Sequence, residues 1–257
     1  MENRLVEPTV SIERLSVEFS GKIALNAINL SILPREFTVI VGPSGSGKST
    51  LLRSMNRLNE FFAGCRTSGV VRIRFDDHRL DVYAEGSISL PELRRRVGMV
   101  FQNPTVLPFS IRKNMTLPLK VTLGLRGAEL NHRMEWALHQ VGLWEEVKDR
   151  LAHDAATLSG GQQQRLCLAR TLALEPQVLL VDEPTASLDF RATEKIEQLL
   201  LRLKERYTVV AVSHSLSQAR RLADRLFVIR EGRMVQQMNQ QHLQDAMVFQ
   251  ELIDSAF

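Results

Sequence analysis

The chain is poor in cysteine and in aromatic side chains: two cysteines, two tryptophans and two tyrosines among 257 residues, with aromatics at 6%. Cys65 and Cys167 lie far apart without metal-ligand spacing, which argues against a zinc module and against a disulfide-stapled secreted scaffold. Cys167 falls inside an apolar helical pattern, where a small buried thiol is expected. No apolar run approaches the ~20 residues that span a bilayer. Residues Met1–Leu5 lack the apolar centre of a secretory signal, so the chain reads as cytosolic, held at a membrane, if at all, by something else. Charge of one sign is missing too: 33 basic residues against 29 acidic ones leave +4, too small an excess to argue for nucleic acid as a partner. What is present is 44% hydrophobic and 24% charged residues, enough for a well-buried core in one large domain or two modest ones.

Short β-branched apolar runs recur at Phe37–Val41, Val178–Val181, Val209–Val212 and Leu226–Ile229. Runs of this kind predict strands covered on both faces, as in a parallel sheet. Helical periodicity separates them over Ser49–Asn59, Gln162–Glu175, Ala192–Arg206 and Ser217–Ala223. The alternation predicts an α/β fold with a parallel sheet. Val71–Phe75 alternates instead, and with Leu5–Leu30 it predicts a small antiparallel sheet. Residues 103–158 carry helical periodicity and no strong strand, which predicts an inserted helical subdomain. Beyond Arg233 the chain turns polar, and Leu243–Phe257 predicts a short amphipathic helix with Phe249, Ile253 and Phe257 on one face. There is no internal repeat and no low-complexity tract.

Gly42-Pro43-Ser44-Gly45-Ser46-Gly47-Lys48-Ser49-Thr50 follows the first of the apolar strands and opens a helix. Gly42 and Gly47 let the backbone curl so that successive N–H groups point at phosphate oxygens; Lys48 reaches the terminal phosphates and Ser49 offers a hydroxyl to Mg²⁺. The helix start favours anions. Strand before and helix after are the context that this P-loop requires. The strand Val178–Val181 ends in Asp182-Glu183. One carboxylate there can serve Mg²⁺, and the next can polarise a water that attacks the terminal phosphate. A lone acidic pair would instead be a helix cap; the P-loop in the same chain weighs toward catalysis. Roughly 110 residues after the P-loop, Leu158-Ser159-Gly160-Gly161-Gln162 opens another helix, a second place where hydroxyl and N–H groups can meet an anion.

Leu158–Arg165 followed by Asp182-Glu183-Pro184-Thr185-Ala186-Ser187-Leu188-Asp189 resembles the ATP-binding cassette (ABC) family, over nearly the whole chain and in the family order. By that resemblance Gln102, after Met99-Val100-Phe101, stands at the Q-loop glutamine, with a catalytic and Mg²⁺-binding role. His214 matches the switch histidine, Glu183 the catalytic base and Asp182 the Mg²⁺ carboxylate. Phe19 lies 23 residues before Gly42, where the family places an aromatic under the adenine, although Ser20 replaces the glycine common after it. Each has an ordinary reading beside this one: Gln102 a solvated loop residue, His214 a hydrogen-bonded structural histidine, Phe19 a core residue. His132, His139 and His153 form no ligand pattern.

The resemblance implies ATP and Mg²⁺ as cofactors and one ABC ATPase domain over 1–257. Residues 1–102 and 176–233 would form the nucleotide-binding core with its β subdomain, 103–175 a helical subdomain and 234–257 a tail. It also implies a head-to-tail homodimer in which Ser159, Gly161 and Gln162 of one chain close over the P-loop of the other, with Asp189 at the interface. Membrane permease subunits would be the partners, a solute-binding protein would be reached only through them, and nucleic acid would not be bound. The place of work would be the cytoplasmic face of the inner membrane. Asn103–Ser110 is either the permease contact or a linker packed on its own subdomain. Leu52–Glu60, Leu93–Gln102, Gln162–Gln164 and Trp144–Leu151 are similar to the ATPase subunit of bacterial phosphate importers, which implies phosphate or another inorganic anion as solute. Asp76-Asp77-His78 in place of an Asp-Gly turn, the order Ala186-Ser187, and the tail depart from that branch. The alternatives are an ABC importer for a different solute, or a soluble ABC ATPase acting on a cytosolic machine.

Overall fold

The computed structural model describes residues 6–186 and 188–256; expectations that fall on Leu5, Ser187 and Phe257 lie outside them. In chain order the strands are β1 (Val10–Phe19), β2 (Lys22–Ile32), β3 (Phe37–Val41), β4 (Cys65–Phe75), β5 (His78–Asp81), β6 (Val97–Val100), β7 (Val178–Asp182), β8 (Thr208–Val212), β9 (Arg225–Arg230) and β10 (Arg233–Asn239). The helices are α1 (Lys48–Ser54), α2 (Leu90–Arg96), α3 (Ile111–Leu123), α4 (Gly127–Gln140), α5 (Trp144–Val147), α6 (Gly160–Leu172), α7 (Phe190–Leu203), α8 (Leu216–Leu222), α9 (Gln240–Gln244) and α10 (Ala246–Ala256). The fold is α/β, as the alternation predicts. The chain divides into two compact units, Met1–Leu93 with Leu203–Phe257, and Arg94–Arg202.

The first unit holds an antiparallel sheet in the order β2-β1-β4-β5. Val71, Ile73 and Phe75 of β4 turn inward in the period-two pattern of a sheet with one wet face; in β1 a register shift after Ile12 breaks the alternation, which Leu15 and Val17 resume. The hairpin between β4 and β5 turns on Asp76-Asp77, with Phe75 opposite His78. Asp76 adopts φ +53°, a left-handed conformation that a short polar side chain tolerates, so the turn forms without glycine. In the same unit β3 lies between β9 and β8 and runs parallel to both. All five residues of β3 and of β8 are buried, as expected for strands covered on both faces.

Three features of this unit differ from what the sequence pattern predicts. The helix after the P-loop stops at Ser54 rather than Asn59. Asn59 reaches back, its amide donating to the Thr50 carbonyl (2.8 Å) and to Ser54 Oγ (2.9 Å), and Arg57 turns left-handed at φ +57°. Side-chain amides that satisfy backbone groups in this way compete with helix continuation. The polar run after Arg233 is strand β10, antiparallel to β9. Only Met238 of its seven residues is fully buried, so an edge strand with polar side chains carries no apolar period to read. The terminal helix is interrupted at Asp245; Phe249 and Ile253 are buried on α10, and Arg220 lays its guanidinium over the Phe249 ring at 5.4 Å.

In the second unit β6 and β7 pair in parallel, Val97 opposite Val178 through Val100 opposite Val181. Helices α3, α4 and α6 pack on one another, burying Met115, Leu119, Leu130, Met134, Leu138 and Leu166. Cys167 is buried on α6, and burial pushes its thiol pKa up. Among the described residues no helix is long and apolar enough to cross a membrane.

Candidate functional site

The P-loop leaves the carboxyl end of β3, the strand with parallel neighbours on both sides, where open α/β sheets place their ligands. Two glycines are required by contact. A Cβ on Gly42, at φ +152°, would lie 2.0 Å from the Ile229 carbonyl oxygen on β9. One on Gly47, at φ +105°, would lie 2.6 Å from the Ala24 carbonyl oxygen on β2. The loop is therefore seated between β9 and β2, and the Ser46 carbonyl accepts a further bond from Gly232 N–H at 3.0 Å. Lys48 is 5% exposed, and its ammonium curls over the loop to donate to the Gly42 (2.9 Å) and Pro43 (2.8 Å) carbonyls. Ser46 Oγ is buried with no hydrogen-bond partner, an unsatisfied polar group within the loop of the kind that invites a ligand. Pro43, Ser44 and Gly45 are exposed, and Ser49 and Thr50 are half-buried in the first turn of α1. Gly47 caps that helix without a side-chain hydrogen bond.

His214 follows β8, the parallel neighbour of β3, and so belongs to the same sheet edge as the P-loop; Ser213 N–H donates to the Ile40 carbonyl at 3.2 Å. The backbone on both sides of His214 is fixed. Ser213 Oγ donates to Gln218 Oε1 (2.8 Å) and accepts from Ser215 N–H (3.0 Å), and Ser215 caps α8. The imidazole itself is exposed. Phe19 ends β1, half-buried, with its ring edge to face against Phe62. Ser20 takes φ +49°, the conformation that a glycine would take without strain.

In the second unit Asp182 and Gln102 leave the carboxyl ends of the paired strands β7 and β6. Asp182 is buried and Gln102 exposed. Glu183 has φ +46°. A non-glycine held there costs about 1 kcal/mol, strain that clusters at functional positions. Gln102 opens the segment Asn103–Ser110, and the fully buried Asn114 pins that segment from α3. Its amide accepts from Leu107 N–H (2.8 Å) and donates to the carbonyls of Leu107, Phe109 and Ser110 (each 3.1 Å). The backbone of the segment is thus packed on its own unit, while Thr105 and Pro108 are exposed.

Ser159 caps α6 in a reciprocal box: its Oγ accepts Gln162 N–H (3.3 Å), and Gln162 Oε1 accepts Ser159 N–H (3.0 Å). The Gln162 side chain is also held from its other end, where Nε2 donates to Glu146 at 2.8 Å. The Ser159 hydroxyl keeps its proton to donate. A cleft of about 240 Å³ brings together Ser159, Gly161, Gln162 and Asp189 with Glu146, Arg165, Arg191 and Lys195. Asp189 caps α7 through Ala192 N–H at 2.9 Å, and a Cβ on Gly161 would stand 3.0 Å from that of Ala192. Glu146 and Arg165 of this cleft carry no motif role in the sequence. Arg165 grips both Glu146 oxygens (2.8 and 3.0 Å), and this pairing lowers the Glu146 pKa. An acidic residue 19 positions before an arginine offers no periodicity that could have announced the pair.

Three comparisons bear on this geometry. The ABC transporter family profile matches residues 25–186, the stretch that runs from β2 through the P-loop, Gln102 and the Ser159 cap to Glu183. The structure of cbiO1 from Clostridium perfringens, part of the ABC transporter complex cbiONQ, is similar over 97% of this chain and 95% of its own, at 28% identity and a TM-score of 0.79. The ATP-binding cassette MJ0796, in a dimeric post-hydrolysis state bound to ADP and Pi, matches over 90% of this chain and 98% of its own, at 33% identity and a TM-score of 0.72. With a P-loop on the central parallel strand and the family's profile spanning well over half of its length, the chain belongs to the ABC transporter family and is an ATPase.

Proposed function

We propose that the chain is the ATP-hydrolysing subunit of a membrane importer, one cassette over residues 1–257, working as a head-to-tail homodimer. The observation that carries this reading is the P-loop: a buried lysine, two glycines whose added Cβ would press on backbone carbonyl oxygens, and an unsatisfied serine hydroxyl inside one loop. That set fits a polyphosphate, with Lys48 supplying charge, and Gly42 to Thr50 supplying N–H and hydroxyl donors. Phe19 would carry the adenine. Ser49, Asp182 and Gln102 offer a hydroxyl, a carboxylate and an amide carbonyl, the hard oxygen donors that suit Mg²⁺. Bound there, the metal would neutralise charge between the phosphates. Glu183 would take the proton of the attacking water, while His214 and Gln102 would hold that water and the leaving phosphate in line. Ser159, Gly161 and Gln162 of the partner chain would complete each site, with Asp189 at the interface; two identical sites on a two-fold axis close the assembly. The dimeric form of MJ0796 supports this pairing.

The reading as a transporter subunit is supported by the likeness to cbiO1, a part of a transporter complex, along nearly the whole of both chains. Permease subunits would dock at residues 103–110, a solute-binding protein would act through them, and the chain would sit on the cytoplasmic face of the inner membrane. Phosphate or another inorganic anion is the solute that the stretches Leu52–Glu60 and Trp144–Leu151 favour by resemblance. Purification from detergent-solubilised membranes, with and without ATP, tests the partner: a multi-span membrane subunit should co-purify. Recovery of ribosomes or of no membrane protein would contradict the importer reading. Loss of phosphate uptake on deletion of the chain, with sulfate uptake unchanged, tests the solute.

A further inference from the structure

Phe62 stands outside every motif described above, yet it is the residue on which Phe19 leans. The two rings meet edge to face, 5.9 Å between centroids and 79° between planes. The turn after Phe19 is tied to the same segment: Ser20 N–H donates to the Gly64 carbonyl at 3.0 Å, and Phe19 pairs with Cys65 across β1 and β4. Phe62 also meets Arg53, whose guanidinium lies over the ring at 5.4 Å. Arg53 belongs to α1, the helix that begins at Lys48. The contacts Arg53–Phe62–Phe19 therefore run from the helix that carries Lys48 to the ring expected to carry a base. Phe62 is 49% exposed, so burial in a core does not account for it. Edge-to-face and cation–π contacts of this geometry hold a ring in place while leaving it able to stack with a flat ligand.

We propose that Phe62, held by Arg53, is the positioning residue for base recognition: it fixes the Phe19 ring so that a purine stacks on it while Lys48 holds the phosphates. The inference rests on the reading of Phe19 and Lys48 given under Proposed function. It makes the spacing between base platform and phosphate loop a property of α1 and its contacts.

The test measures binding of adenylyl-imidodiphosphate and of inorganic tripolyphosphate, each with Mg²⁺, to the full chain and its variants. Phe62→Ala should weaken the adenine analogue about 3- to 10-fold and leave tripolyphosphate affinity unchanged, and Phe62→Tyr should restore wild-type binding. Unchanged affinity for the analogue in Phe62→Ala would overturn the proposal. So would an equal loss for both probes, which marks general damage, or a failure of Phe62→Tyr to rescue. Two controls separate this from the reading beneath it. Lys48→Ala should lose both probes and Phe19→Ala the analogue alone. If Phe19→Ala binds the analogue like wild type, the base platform itself is wrong; if Phe19→Ala is impaired and Phe62→Ala is not, only the role of Phe62 falls.

Discussion

The two glycine-rich stretches look alike in sequence and are built in opposite ways. In the P-loop, glycines sit in left-handed conformations against backbone carbonyls, the lysine is buried, a serine hydroxyl lacks a partner, and the helix start has no side-chain cap. At Ser159 the helix caps itself with a reciprocal box, Gly160 and Gly161 keep ordinary backbone angles, and Gln162 is locked to Glu146. The first stretch is curled by its glycines and leaves the Ser46 hydroxyl unsatisfied, which suits direct ligand capture. The second fixes its own start through the box and offers the exposed Ser159 hydroxyl, the helix start at Gly161 and the cleft beside them, which suits closing over a ligand held elsewhere. A helix start in the sequence thus says where an anion can go, and the local hydrogen bonding says which of two starts still needs one.

Point substitutions test this contrast. The largest effect is expected at Glu183, where Glu183→Gln should cut ATP turnover by about 10²–10⁴-fold while nucleotide binding persists; a phosphate-release assay with near wild-type rates would refute the base assignment. Lys48→Ala should lower turnover by about 10²–10³-fold and weaken nucleotide binding as well, which separates it from the previous variant by titration. Stability should discriminate the two stretches directly. Gly47→Ala places a Cβ 2.6 Å from a backbone oxygen at φ +105° and should cost about 2–4 kcal/mol. Gly161→Ala meets only a methyl at 3.0 Å and should stay within about 1 kcal/mol. Equal melting temperatures for these two variants would erase the distinction.

The smallest effect is a pH dependence. Arg165 holds the Glu146 pKa below its ordinary 4.5. The pair's stabilisation is therefore complete above 4.5 and is lost as pH falls through the lowered folded value, because protonation removes the charge that Arg165 grips. Glu146 is 35% exposed, so solvent screens the pair and the change is small. Glu146→Gln should flatten the acid limb of a melting-temperature profile; a steeper limb would refute the sign.

The buried strands were legible because their runs are apolar without interruption: Phe37–Val41 matches β3 residue for residue, and three other strands extend only a residue or so beyond their apolar runs. Edge strand β10 was not legible, since its exposed faces carry Gln236, Gln237 and Asn239. The end of α1 falls earlier than the periodicity predicts because the Asn59 amide reaches back nine and five residues to Thr50 and Ser54, side-chain bonds that no apolar period encodes. The motifs located the candidate site residues in the chain. Their conformation did not follow from the motifs: the curled Lys48, the left-handed Glu183 and the Arg53–Phe62–Phe19 stack depend on neighbours brought together by folding.

In the proposed dimer the P-loop of one chain and the Ser159 stretch of another are two sides of one site. Sedimentation of the Glu183→Gln protein with and without Mg²⁺-ATP is the decisive measurement. A dimer is expected only with ATP, and a monomer that still binds ATP when Ser159→Arg is added. A monomer under all conditions, or a dimer indifferent to Ser159→Arg, would contradict it.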